Sequence, residues 1–161
     1  MKTPMNRKST TEEIRARFDD DVERFSNLET GQAVCSDAPL AMELITKAAL
    51  TMHSTIDKVL NIGCGAGNNS LKLRLEAGYD FDVNLVDLSR PMLERARERI
   101  QNVSAGHVKT TQVDFREAKF ATDSFDVIIA AAVLHHSRDD EDWSNAFQLI
   151  YRWLKPGGSF G

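Results

Sequence analysis

Val59-Leu60-Asn61-Ile62-Gly63-Cys64-Gly65-Ala66-Gly67-Asn68-Asn69 is a short apolar run, then three glycines on alternate positions, then the start of a helical segment. Glycine lacks a Cβ, so a chain with this spacing turns sharply and brings bare backbone N–H groups up against a ligand. The spacing also restricts the ligand. A dinucleotide fingerprint reads G-x-G-x-x-G, with its third glycine letting the helix sit close to the strand. Gly63 and Gly65 match it, but position 68 is asparagine and the next glycine comes one place early, at Gly67. G-x-G-x-G suits a nucleoside with an amino-acid tail better than a pyrophosphate.

Working outward, strand-like and helix-like stretches alternate. Strands are expected at Lys58 to Ile62, Asp82 to Val86, Val108 to Val113 and Phe125 to Ala130. Helices are expected at Asn68 to about Ala77, stopped by Gly78, and at Arg90 to about Asn102, with Pro91 in its first turn. A last helix, Asp142 to Leu154, is ended by Lys155-Pro156-Gly157-Gly158. This order predicts an α/β domain, a doubly wound and mainly parallel sheet with helices on both faces. Ahead of it, residues 1 to about 10 read as a disordered tail. Thr11 to about Ser26 reads as one amphipathic helix with Ile14, Phe18, Val22 and Phe25 on its apolar stripe. Ala38-Pro39-Leu40 opens another helix, to about Leu50.

Five segments in order resemble the class I S-adenosylmethionine-dependent methyltransferases, a Rossmann-like family. Val59 to Gly67 is similar to the family's first motif, V-L-D-[LIV]-G-C-G-x-G, and Val83 to Leu93 to its second, where a strand ends in an acidic residue. Val113-Asp114-Phe115 resembles the third. Phe125 to Ile129 with Leu134-His135-His136 resembles the fourth, and Leu154 to Gly158 the turn before a fifth strand. The resemblance implies a methyltransferase using S-adenosyl-L-methionine, with residues 57–161 as a partial cofactor-binding core and residues 11–56 as a helical lid region. Gly63, Cys64, Gly65 and Gly67 would hold the amino-acid end, and Asp87, 20 residues past Gly67, the ribose hydroxyls. A carboxylate suits that task because it offers two oxygens that only accept. Leu88 and Met92 would flank adenine, Asp114 would take its exocyclic amine, and Phe115 would lie on the ring. Ala130 and Ala131 would leave room for the methionine portion. Asn61 stands where the family has an acidic residue, and Asn61→Asp is expected to keep affinity equal or better.

Methyl transfer from a sulfonium is chiefly in-line positioning, with proton removal where the acceptor is protonated. His135, after the fourth strand, is the candidate base or acceptor contact; its neighbour His136 is expected to point elsewhere. Arg15, Arg17 and Arg24 read as solvated charges. The acceptor is expected to be a small molecule, because a net charge of −4 gives no support to a nucleic-acid surface. Two cysteines, Cys35 and Cys64, form no spaced cluster, so no metal site is expected. The polar, basic start and the lack of a long apolar run predict a soluble cytoplasmic protein without a membrane segment.

The sequence stops at Ser159-Phe160-Gly161, where the family's fifth of seven strands begins. The expectation is therefore a fragment whose C-terminal strands are missing, with Val127 to Ala130 an open apolar edge. A second copy covering that edge would make a homo-oligomer. A non-catalytic cofactor-binding module is the alternative function. A nicotinamide-dependent oxidoreductase is opposed by Asn68.

Overall fold

The computed structural model describes residues 8–27 and 37–161. Five strands form one sheet: β1 (Lys58–Ile62), β2 (Asp82–Asp87), β3 (Val108–Gln112), β4 (Phe125–Ile129) and β5 (Leu154–Phe160). Their order is β3-β2-β1-β4-β5 and every pairing is parallel. In β1, Val59 pairs with Val83 on one side and with Val127 on the other. Strand order therefore reverses at β1, and the crevice beyond the carboxyl ends of β1 and β4 is the place where such sheets bind ligands.

The side-chain period of two sends alternate strand residues to two separate cores. Val59, Val83, Leu85, Val127 and Ile129 share one face with Ala49 of α3 (Ala38–Met52), Leu71 and Leu73 of α4 (Asn68–Ala77), and Leu93, Ala96 and Ile100 of α5 (Arg90–Gln101). Leu60, Ile62, Val86 and Ile128 share the other with Ala146, Ile150 and Trp153 of α6 (Asp140–Trp153). Both faces are covered, which is why these strands read as continuous apolar runs.

Local signals set the helix ends. Ser89 accepts from the Met92 N–H at the start of α5, and Asp139 from the Asp142 N–H, 2.8 Å, at the start of α6. Gly78 closes α4 in the left-handed conformation, φ 72°.

Three expectations need correction. The fifth strand is present: Val127 and Ile128 of β4 pair with Ser159 and Phe160 of β5. The edge at Val127 to Ala130 is therefore covered, and the reason for association through it falls away. Lys155-Pro156-Gly157-Gly158, expected as a turn, lies inside β5, with a register shift and Gly157 at φ +79° absorbing the irregularity. The single N-terminal helix is instead two, α1 (Thr11–Asp19) and α2 (Val22–Phe25). The break at Asp20 and Asp21 lets the rings of Phe18 and Phe25 meet with centroids 5.4 Å apart. Residues 1–7 of the expected tail and Cys35 lie outside the described residues. Thr10, at the tail's end, caps α1 reciprocally with Glu13.

Candidate functional site

A cavity of about 370 Å³ opens at the carboxyl ends of β1 and β4, a size typical of small-molecule sites. Its floor is the glycine turn. Gly63, Gly65 and Gly67 all have positive φ, at 61°, 51° and 82°, but for different reasons. A Cβ on Gly63 would stand 2.6 Å from the Cβ of Val133, and one on Gly67 2.9 Å from that of Ala96. Those two glycines permit close packing within the protein. A Cβ on Gly65 would meet nothing within 4 Å. Gly65 alone of the three leaves open space on the cavity side.

Asp87 closes the end of β2 beside this turn. Its Oδ2 accepts from the Gly65 N–H at 2.8 Å and its Oδ1 from the Ser89 N–H at 2.9 Å. Burial pushes its pKa above the usual carboxylate range, partly offset by the two hydrogen-bonded N–H groups of Ser89 and Gly65 and more weakly by the N–H of Leu88, and the Asp19 carboxylate adds to the rise. Burial, with Asp87 nearby, also pushes the Cys64 thiol well up, so Cys64 is a packed and unreactive wall residue.

Ten of the expected site residues line the cavity: Gly63, Cys64, Gly65, Asp87, Leu88, Met92, Asp114, Phe115, Ala131 and His135. Asn61, Gly67 and Ala130 do not. Asn61 is buried behind the turn, where its Nδ2 donates to Ser70 Oγ at 2.8 Å. Any effect of Asn61→Asp on a ligand therefore acts through the packing beneath the turn. Gly67 serves the approach of α4 to α5, and the N–H of Ala130 extends the β4 pairing to the carbonyl of Gly161 at 2.8 Å.

Asp114 is engaged by its own chain. Its carboxylate accepts from the backbone N–H, Nε and Nη2 of Arg116, the last at 2.5 Å. Burial would raise its pKa, but the Arg116 contacts outweigh that and hold it below the usual range. Arg116 also donates to Asp142 at 2.6 Å, tying this wall to α6.

The roof comes from α1 and α2. Thr11, Ile14, Arg17, Phe18, Arg24 and Phe25 line the cavity, so the apolar stripe of these helices faces the site. Arg17 and Arg24 are exposed, as expected of solvated charges, and also border the cavity. The roof is fastened to the turn by Asn68, whose Nδ2 donates to the carbonyls of Phe25 (2.9 Å) and Asn27. Arg95 pairs with Glu23, and Arg99 donates to the Ala66 carbonyl and Asn68 Oδ1, both at 2.7 Å. The sequence reading overlooked Arg99. Its signal is a charged residue one turn beyond Ala96, beside the inward stripe of Met92, Ala96 and Ile100.

His135 and His136 both line the cavity, contrary to the expectation that they diverge. They sit in a 3-10 turn (Leu134–His136) with ring centroids 3.9 Å apart, and Phe18 meets His136 edge-on at 6.4 Å. Burial, followed by the charges of His135, Arg17 and Arg116, lowers the His136 pKa from 6.5 to about 4. The unfolded chain then binds the proton more readily than the folded one. The stability that His136 contributes is thus present above about pH 6.5 and lost as pH falls toward 4. Melting temperature should drop less between pH 7 and pH 5 in His136→Gln than in the wild type. Equal drops would show that His136 carries no part of the acid sensitivity.

Residues 59–158 match the family model described as a methyltransferase domain. The chain is 31% identical over 102 residues to the ubiquinone/menaquinone biosynthesis C-methyltransferase UbiE of Haemophilus ducreyi, covering 63% of this chain and 38% of that protein. It is 32% identical over 101 residues to phosphoethanolamine N-methyltransferase 3 of Arabidopsis thaliana, covering 63% of this chain and 19% of that one. The chain thus spans less than half the length of these curated relatives. Among solved structures, the N-methyltransferase NodS of Bradyrhizobium japonicum, in complex with S-adenosyl-L-homocysteine, shares the fold. Its TM-score is 0.69 at 22% identity, over 89% of this chain and 70% of that one. Motif order, the β3-β2-β1-β4-β5 sheet and the matched family model agree: the chain belongs to the class I S-adenosylmethionine-dependent methyltransferase family.

Proposed function

We propose that the protein transfers a methyl group from S-adenosyl-L-methionine to a small-molecule acceptor. The observation that carries this reading is the pairing of an open glycine cradle at Gly65 with a carboxylate, Asp87, fixed beside it by the Gly65 N–H. Two further features fit such a ligand. Each Asp87 oxygen takes one backbone N–H from Gly65 or Ser89, and an ionised carboxylate has acceptor sites to spare for two ribose hydroxyls. Asn69 lines the cavity nine-tenths buried, and its Oδ1 has no donor among the described residues, a cost that a bound polar group would relieve.

In this reading Gly63, Cys64 and Gly65 hold the amino-acid end, Asp87 the ribose, and Leu88, Met92 and Phe115 the adenine. Asp114 reaches the adenine amine only with the acceptor capacity that Arg116 leaves free. When bound, the cofactor supplies a methyl group on a positively charged sulfur, a good leaving group. The chain's own part is to orient and to exclude water. Phe18 and Phe25 roof the site, Asn68 and Arg95 hold that roof down, and Ala131 leaves space beside β4. His135 is the group assigned to the acceptor's proton. His136, neutral at pH 7 and weakly basic, suits a hydrogen bond better than proton abstraction.

Asn68 is committed to Phe25, Asn27 and Arg99, where a pyrophosphate-binding turn would have glycine. This favours the methyl donor over a nicotinamide dinucleotide. No helix among the described residues is long and apolar enough to cross a membrane, and a cytoplasmic location is proposed along with the activity.

Thermal unfolding with each ligand tests the reading. S-adenosyl-L-homocysteine at 100 times its Kd should add about 2.7 kcal/mol of stability and raise the melting temperature by several degrees, while NAD leaves it unchanged. A shift with NAD and none with the homocysteine compound would contradict it.

A further inference from the structure

One side of the cavity is formed by one face of α1 (Thr11, Ile14, Arg17, Phe18) and by the segment after β4 (Val133, His135, His136, Ser137). Among the described lining residues, basic side chains outnumber carboxylates. Among the described residues two carboxylates line the cavity. Asp87 is held by backbone N–H groups beside the glycine turn, and Asp114 is paired with Arg116. Among the described residues five basic side chains line it: Arg17, Arg24, Arg116, His135 and His136. Arg24 is compensated by Asp21 at 2.6 Å, and Arg116 by Asp114 and Asp142. Arg17 has no hydrogen bond or ion pair among the described residues. Lys8 adds another cation at this rim, its Nζ donating to the carbonyl of Ser137. Burial is the main cause of the depressed basicity of His136, and Arg17 and Arg116 are close enough to add to it, which places both guanidinium groups near that ring.

From this juxtaposition we propose that the methyl acceptor carries an anionic group, a carboxylate or a phosphate, received by the Arg17 guanidinium at the α1 end of the cavity with His135 and His136 beside it. The inference rests on reading this cavity as the methyltransferase site and names the class of substrate for it. A guanidinium presents a planar fork of donors that matches either oxyanion, and it stays charged at any working pH. The remaining lining there is mostly apolar or aromatic, Ile14, Phe18, Phe25 and Val133, with the hydroxyl residues Thr11 and Ser137. The acceptor that fits both features is a compact molecule with an apolar or planar body and one acidic end. Because Arg17 lies on α1, the same contact would draw the roof onto the substrate. Glu12 and Glu13 occupy the first turn of α1, where Glu13 is engaged with the Thr10 N–H, and Asp139 is engaged in capping α6.

The test uses the protein saturated with S-adenosyl-L-homocysteine, titrated calorimetrically with benzoate, phenyl phosphate and the neutral benzamide. At least one anion should bind about tenfold or more tightly than benzamide, a margin in keeping with a charge-assisted hydrogen bond in a partly enclosed site. Arg17→Met, which keeps the apolar stem, should erase that preference by about tenfold while leaving benzamide and S-adenosyl-L-homocysteine affinities unchanged. Whichever anion binds better, benzoate or phenyl phosphate, names the acidic group. Benzamide binding as well as both anions, or a preference that survives Arg17→Met, overturns the proposal, and so does the absence of binding by either anion at 10 mM, roughly ten-thousandfold above a micromolar site. If S-adenosyl-L-homocysteine does not bind but an anion does so through Arg17, the acidic subsite stands and the methyltransferase reading falls.

Discussion

Asp87→Ala should weaken S-adenosyl-L-homocysteine binding about 100-fold in a calorimetric titration. The estimate is two charge-assisted hydrogen bonds to the ribose, about 3 kcal/mol together. The carboxylate is held in place by Gly65 and Ser89 before any ligand arrives, so little is spent on ordering it. Asp87→Asn should fall between, because an amide has one acceptor oxygen where two backbone N–H groups and two hydroxyls compete. Folding should respond differently from binding. Burial raises the Asp87 pKa, so its ionised form is a net cost to the fold at neutral pH, and that cost fades as pH falls. The melting temperature of Asp87→Asn at pH 7 should therefore hold or rise while affinity falls. In the wild type, affinity should decline as pH drops through the raised pKa, because the protonated group loses acceptor capacity. Parallel losses of stability and affinity would assign Asp87 a structural role instead.

The second large effect is expected from Gly65→Val, with binding reduced at least about 100-fold. Two costs add. An L-residue at φ +51° is strained by roughly 1–2 kcal/mol, which lowers the melting temperature by several degrees. The isopropyl group then occupies the open space that the cradle leaves for the ligand, since no protein atom lies within 4 Å of the new Cβ. Gly63→Val is the contrast. Its Cβ would collide with Val133, so it should unfold the site as a whole rather than fill it. A Gly65→Val protein that melts cooperatively yet binds S-adenosyl-L-homocysteine normally would remove the glycine turn from the ligand's path.

Much of the sheet was legible because its cause is local. β1 and α4 fall where the apolar run and Gly78 put them, with no shift at either end. Parallel strands buried on both faces are read from Val, Ile and Leu alone, and a glycine in the left-handed region marks a helix end without tertiary help. β5 was misjudged because Lys155-Pro156-Gly157-Gly158 has turn chemistry. Its strand character comes from pairing with β4, a long-range contact that outweighs local preference. The same limit applies to the site. Asp87 was visible at a strand end, but the partners of Asp114 were not, because only the folded turn brings the Arg116 side chain back onto that carboxylate. His136 was dismissed on the rule that neighbours diverge, which fails in a 3-10 turn. Arg17 is solvated as expected, but its place at the rim of the site was hidden, because nothing in its own helix shows that Ile14 and Phe18 face a cavity instead of a core.

A crystal structure of the protein grown with saturating S-adenosyl-L-homocysteine bears most directly on the assignment. The homocysteine end should rest on residues 63–65, with both ribose hydroxyls within hydrogen-bond reach of Asp87 and the adenine beside Met92 and Phe115. Density for the compound outside this crevice, or a clean map with an empty crevice at full dose, would contradict the account.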